Sequence, residues 1–201
     1  MSYERLLNYY YNIGGYNKPE RIGYMMSLIR NLRPLTVEEW EIWYTDNIHD
    51  RDYIEGLSIE MYNSIPSQYE ITSAMCIDYV YDVMFRRTFQ GYNKEKQALK
   101  FLRQCVSKYV QEAPKEWDTE YFIDFFIPEC ETHPIIGIQL KPDTFFKGHY
   151  QNVVDIEGKM NRFMVEYRAL AYILKYKQMM DEKRTIEFTN PEVITEIINN
   201  L

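Results

Sequence analysis

Residues Glu120 to Pro142 read EYFIDFFIPECETHPIIGIQLKP, and within them two apolar runs, Tyr121 to Ile127 and Ile135 to Leu140, flank a polar segment, Glu129 to Pro134. Apolar runs on either side of a short, Pro-containing polar segment are the pattern of a β-hairpin. Pairing symmetric about that turn sets Asp124 opposite Gln139 and Lys141 opposite Phe122. Because side chains alternate along a strand, Phe122, Asp124, Phe126, Gly137, Gln139 and Lys141 are expected on one face. Ile123, Phe125, Ile136, Ile138 and Leu140 are expected on the other, which is purely apolar and packs inward. The first face gathers an acid, an amide and an amine beside aromatic rings. Polar groups in such surroundings are costly unless they find partners or a bound ion.

Working outward, the pattern before the hairpin predicts a helix from about Asn93 to Gln111 with Ala98, Leu99, Leu102, Val106 and Tyr109 on its apolar stripe. Counting back four from Leu99 reaches Glu95, a carboxylate on the core-facing side. The alternative reading of Glu95 is an acid favoured by the positive end of the helix. After the hairpin come a loop, Asp143 to Tyr150, and an amphipathic helix from about Asn152 to Met179. A short strand follows at Thr185 to Thr189, and Pro191 opens a last helix.

Upstream, helices are expected at Tyr3 to Ile13, from Pro19 to about Leu32, from the capping box Thr36-Val-Glu-Glu39 onward, at Asp52 to Asn63, and at Glu70 to Gln90, where Gly91 supplies a stop. The order predicts an α/β protein with a mixed central sheet flanked by helices and a helical N-terminal half. Residues 1–91 form the helical region and 92–201 the core, read as one domain.

A chain of 201 residues with 46% hydrophobic and 16% aromatic content suits a globular protein with a substantial core. Its net charge of −7 argues against coating nucleic acid by bulk electrostatics, while leaving room for cations gathered in a cleft. The three cysteines and three histidines are scattered without metal-ligand spacing, which fits a reduced cytoplasmic protein and disfavours zinc. The N-terminus lacks the features of a secretory signal, and no apolar run approaches the roughly 20 residues of a membrane span.

A helix acid, a strand Asp, and a following strand with an acid or amide, one residue and Lys form the layout of the PD-(D/E)xK nuclease fold. Here the elements are Glu95, Asp124 and Gln139-Leu140-Lys141. The segments NKPERIGYMMSLIRNL (Asn17 to Leu32), RTFQGYNKEKQALKFL (Arg87 to Leu102) and GIQLKP (Gly137 to Pro142) resemble those of the MjaI family of type II restriction endonucleases, in order and over most of the chain. The resemblance implies Mg²⁺-dependent hydrolysis of double-stranded DNA at a short palindrome, CTAG for this family, by a homodimer with a cognate DNA methyltransferase. It matches Asp124 to the strand aspartate, Lys141 to the lysine and Glu95 to the helix acid. Gln139 departs from the commoner Glu and puts the metal number and affinity in question.

Chemically, Asp124 would be the anionic ligand of Mg²⁺, the Gln139 side-chain oxygen and the Leu140 carbonyl neutral ligands, and Glu95 an outer ligand through water. Lys141 would hold the attacking water and stabilise phosphate charge. Taken alone, Lys141 also fits a strand-end lysine reaching solvent, and Gln139 a cross-strand partner of Asp124. Arg86, Arg87 and Lys147, with Lys94, Lys96 and Lys100, are candidate phosphate contacts. Solvated surface is the ordinary fate of such clusters, and dimerisation and DNA recognition are assigned to the helical half. Two rivals stay open: a repair or transposition endonuclease of the same fold, and a non-catalytic helical interaction protein.

Overall fold

The computed structural model describes residues 2–146, 150–179 and 185–201. The chain divides into two compact units, Met1–Asn93 and Lys94–Leu201. No helix among the described residues is long and apolar enough to cross a membrane.

The first unit is helical: α1 (Tyr3–Ile13), α2 (Pro19–Ile22), α3 (Met25–Leu32), α4 (Val37–Asn47), α5 (Arg51–Ser64) and α6 (Ser73–Tyr81). The Thr36 hydroxyl accepts from the Glu39 N–H at 3.2 Å, and the Glu39 carboxylate accepts from the Leu35 N–H at 2.7 Å. The start of α4 is thus capped from both directions. The single helix expected from Pro19 to Leu32 is instead two, because Gly23 takes φ = 73°, a conformation open to glycine at little cost. In the core, Trp40, Tyr44 and Phe85 meet edge to face, a favoured arrangement of aromatic quadrupoles. The indole N–H of Trp40 donates to the Met84 carbonyl and the Tyr44 hydroxyl to the Ile22 carbonyl, which satisfies the polar ends of both buried rings.

Gly91 does not stop a helix. From α6 the backbone passes through a wide π-helical stretch, Asp82–Arg87, into α7 (Thr88–Cys105), with Gly91 inside it. The nearest atom to a side chain added there is the Met26 sulfur at 3.9 Å, so nothing about position 91 forces the chain to turn.

The second unit is built on a mixed sheet. After α7 come β1 (Gln111–Glu112), α8 (Lys115–Tyr121), β2 (Phe125–Ile127), β3 (Ile136–Pro142), α9 (Tyr150–Tyr167), β4 (Leu170–Gln178), β5 (Ile186–Phe188) and α10 (Pro191–Asn199). The strands lie in the order β1-β2-β3-β4-β5, with β3 and β4 parallel and the other neighbours antiparallel. Helix α9 is the crossover that a parallel pair requires. The outermost strands are the shortest, with two residues in β1 and three in β5. On one face Phe125, Ile127, Ile136, Ile138, Leu140 and Leu174 pack with Ala98, Leu99 and Leu102 of α7 and Ile197 of α10. On the other, Ile156, Met160 and Phe163 of α9 pack with Tyr121 and Ile123. A mixed sheet covered by helices on both faces is the α/β architecture expected from the sequence.

Three further expectations are corrected. The helix foreseen from Asn93 to Gln111 begins at Thr88 and ends at Cys105, so Val106 and Tyr109 lie beyond it and Gln111 opens β1. The helix foreseen to Met179 ends at Tyr167; Arg168 takes φ = 50° and the chain re-enters the sheet as β4, a central strand. The first hairpin arm is shorter than predicted, since Tyr121 ends α8 and Phe122 sits at φ = 58°. That reversal carries Ile123 to the α9 side, away from Phe125. A methyl group added at Gly137 would lie 2.8 Å from Phe163 Cε1 and 2.9 Å from Ile123 Cδ1, both in the interior. Gly137→Ala is therefore expected to destabilise the protein by about 1–3 kcal/mol through overpacking. A urea midpoint equal to that of the parent protein would show that α9 yields without cost.

Candidate active site

Phe125 is the last residue of β2 paired with β3, opposite Ile138. One residue toward α8 the Asp124 N–H donates to the carbonyl of that same Ile138 at 3.0 Å, and the Asp124 side chain reaches Gln139. Asp124 and Gln139 are thus neighbours, 8% and 1% exposed. One carboxylate oxygen, Asp124 Oδ2, accepts from the Gln139 side-chain amide and from the Leu140 backbone N–H, the latter at 2.7 Å. The Gln139 amide also donates to the Leu140 carbonyl at 3.2 Å. Its other end, Oε1, is buried without a hydrogen-bond partner. A buried carbonyl-type oxygen left unsatisfied costs roughly 1–3 kcal/mol, so this joint stores a demand for a positive group.

Lys141, at the end of β3, is half-buried and its ammonium lies 5.6 Å from the ring centroids of both Phe122 and Phe145. Phe122 owes its position to a left-handed backbone, in which its N–H closes α8 by donating to the Trp117 carbonyl. Glu95 is half-buried on α7 and close enough to raise the pKa of Asp124 and of Tyr176. It lies well inside the helix, which starts upstream at Thr88 in a continuous helical run. The pull of a free helix N-terminus, confined to the first turn, therefore does not account for an acid at this place.

Burial, then the negative charge of Glu95, pushes the Asp124 carboxyl up to about 7, while Lys141 and the Leu140 N–H pull it down. Tyr176 of β4 is raised to about 12 by burial first and then by Glu95 and Asp124. The charge of Glu95 thus bears on a buried carboxyl that the local positive charge only partly relieves. The oxygens gathered here are the Asp124 carboxylate, an orphaned amide oxygen and a backbone carbonyl, with Glu95 near enough to act on the carboxyl. They make a hard donor set suited to Mg²⁺ rather than to a soft metal. No group of three or more His, Cys, Asp or Glu able to hold a metal occurs among the described residues.

The candidate DNA contacts are distributed differently. Arg87 binds Glu4 at 3.0 Å and Asp82 at 2.7 Å, and Arg86 lines a cavity of about 430 Å³ with Glu38, Glu41, Asp78 and Asp82. Lys147 lies outside the described residues. Tyr176, Lys159 and Arg162 are not singled out by the sequence pattern. Tyr176 is hidden when β4 is read as helix, although its stretch LAYILKYKQ is rich in the aromatic and β-branched residues of a strand. Lys159 and Arg162 carry no sequence signal beyond their charge.

No curated protein and no solved structure matches the chain. A family model described as MjaI restriction endonuclease matches residues 4–189, which takes in both units and each of Glu95, Asp124, Gln139 and Lys141. With that match running through almost every element described above, the chain belongs to the MjaI restriction endonuclease family.

Proposed function

We propose that Glu95, Asp124, Gln139 and Lys141 form the hydrolytic centre of a Mg²⁺-dependent type II enzyme that cuts duplex DNA at the palindrome CTAG. Membership in the family makes the chain a DNA-cleaving nuclease acting on double-stranded DNA. The observation that supports the site is the buried joint between Asp124, Gln139 and Leu140, with an oxygen left over and Glu95 and Lys141 acting on the same carboxylate. Asp124, Gln139 Oε1 and the Leu140 carbonyl would hold the ion, with Glu95 completing the negative charge that the neutral amide does not supply. Bound Mg²⁺ supplies the acidification of water and the positive charge that phosphodiester hydrolysis requires.

The chain's own residues do the rest. Lys141, steadied against two rings, orients the attacking water and donates to phosphate oxygens whose charge grows in the transition state. The apolar packing of β2 and β3 excludes bulk water, so each charge acts at low dielectric. A palindromic target calls for a twofold homodimer, and we assign dimerisation and sequence recognition to the helical half, residues 1–91. A cognate methyltransferase would protect the host's own sites, and both proteins would work in the cytoplasm.

Digestion of a sequenced phage DNA with purified protein and Mg²⁺, followed by sequencing of the fragment ends, tests the reading. Ends that all map to CTAG and vanish with a chelator are expected; ends at another sequence, or intact DNA, overturn it. Gln139→Glu is expected to keep cleavage, because it restores an anionic oxygen beside the ion. Without metal the same variant loses roughly 1–3 kcal/mol at neutral pH, since a carboxylate replaces a donor on which Asp124 relies. A folded but wholly inactive Gln139→Glu would contradict the division of charge between Asp124 and Glu95.

A further inference from the structure

We infer that the face of α9 bearing Gly158, Lys159 and Arg162, together with Phe122, seats the sugar-phosphate backbone of the DNA strand beside the phosphate held at Lys141. The inference rests on the nuclease reading above and adds residues to it. A groove of about 530 Å³ is lined by Phe122, Val154, Asp155, Gly158, Lys159 and Arg162. The Lys159 ammonium stands 3.9 Å from the Phe122 ring centroid, and the Lys141 ammonium 5.6 Å from the same centroid. One aromatic ring, negative on its faces, is thus shared by two ammonium groups.

Their hydrogen-bond partners do not neutralise them. Lys159 donates to the Thr119 carbonyl at 3.3 Å and Arg162 to the Glu120 carbonyl at 3.1 Å, both in the last turn of α8. Neither these two nor Lys141 forms an ion pair with a carboxylate among the described residues. Elsewhere in this acidic chain Arg21, Arg51, Arg87 and Lys177 are each matched to a carboxylate. Asp155, exposed on the groove, is the acid that opposes the seat. Three cations strung from the end of β3 along a helix face suit a polyanion with regularly spaced charges better than one free phosphate. Gly158 keeps the floor low, for a side chain added there would meet nothing within 4 Å.

The test uses the full chain in EDTA, so that binding is read without cleavage, on short duplexes with and without CTAG and over a range of salt. Each phosphate contact contributes a slope of about −0.9 in log affinity against log salt, so Lys159→Gln is expected to lose about one such unit and roughly eightfold in affinity near 0.1 M salt, on both duplexes alike. Gly158→Glu fills open space and improves helix propensity, so its melting temperature should hold or rise while affinity falls by about tenfold or more. Unchanged slope in Lys159→Gln with unchanged affinity in Gly158→Glu overturns the seat, and does so alone if the parent protein cuts DNA with Mg²⁺. A parent protein that neither binds nor cuts DNA removes both readings. Binding weakened by both variants in a protein that cuts nothing keeps the seat and removes the nuclease reading. Inhibition by inorganic phosphate at low millimolar concentration, with slopes unaltered, would mark a single-anion pocket and likewise overturn the proposal.

Discussion

Asp124→Ala and Lys141→Ala are each expected to lower plasmid cleavage by at least about a thousandfold while leaving binding to the duplex in place. The two substitutions fail for different reasons. Without Asp124 the orphaned Gln139 oxygen and the Leu140 carbonyl lose their direct anionic neighbour, and only Glu95, acting through water, is left to supply charge. A hard cation is held weakly by neutral oxygens and one outer acid. Without Lys141 the ion remains but the water and the transferring phosphate lose their fixed donor. Affinity for Mg²⁺, measured by titration calorimetry, should therefore collapse in Asp124→Ala and survive in Lys141→Ala. Because Asp124→Ala also strips partners from the Gln139 amide and the Leu140 N–H, Asp124→Asn serves as the shape-preserving control. A rate near that of the parent in Lys141→Ala, or in both Asp124 variants, would remove the site assignment.

The second large effect is on stability. In the folded, metal-free protein the Asp124 carboxyl is held near 7, against about 3.8 when exposed, chiefly by burial and then by Glu95. The folded state therefore binds this proton more tightly than the unfolded state. Its contribution to stability is fully present below about 3.8 and is lost as pH rises through about 7. In EDTA the parent protein should thus be less stable than Asp124→Asn at pH 8, by a few kcal/mol, since each tenfold difference in proton affinity between the two states is worth about 1.4 kcal/mol. The gap should close as pH falls toward 4. Added Mg²⁺ should reverse the order at pH 8, because only the ionised parent gains a ligand. Parallel melting curves for the two proteins at every pH would mean that Asp124 is not strained by its surroundings.

Much of this site was legible because a hairpin imposes arithmetic. Once the polar segment Glu129 to Pro134 is read as the turn, Asp124 and Gln139 must meet, and the bond from the Gln139 amide to the Asp124 carboxylate shows that they do. The approach of Lys141 to Phe122 follows from the same symmetry. What failed was periodicity where two patterns coincide. Phe163, Tyr167, Leu170 and Leu174 fall at helical spacing, yet the last two lie on a central strand, and a parallel strand enclosed by helices is apolar on both faces. No glycine or proline marks the break at Arg168. Likewise nothing in the letters of Phe122 announces a left-handed backbone, which is imposed by the close of α8 against the sheet. The groove on α9 was invisible for a third reason, since a cation matched to a carboxylate and one that is not are the same letter.

The brevity of β1 and β5 bears on how two copies can come together. Joining sheets edge to edge needs a long row of unpaired backbone donors and acceptors, and the outermost strands offer two and three residues, one of them carrying Glu112 and the other Glu187. Subunits aligned on a twofold DNA site would therefore have to meet through helix or loop surfaces. The parallel pair at the heart of each sheet would then stay enclosed within its own subunit, and the spacing between the two scissile phosphates would be set by side-chain packing rather than by a shared ladder of backbone bonds.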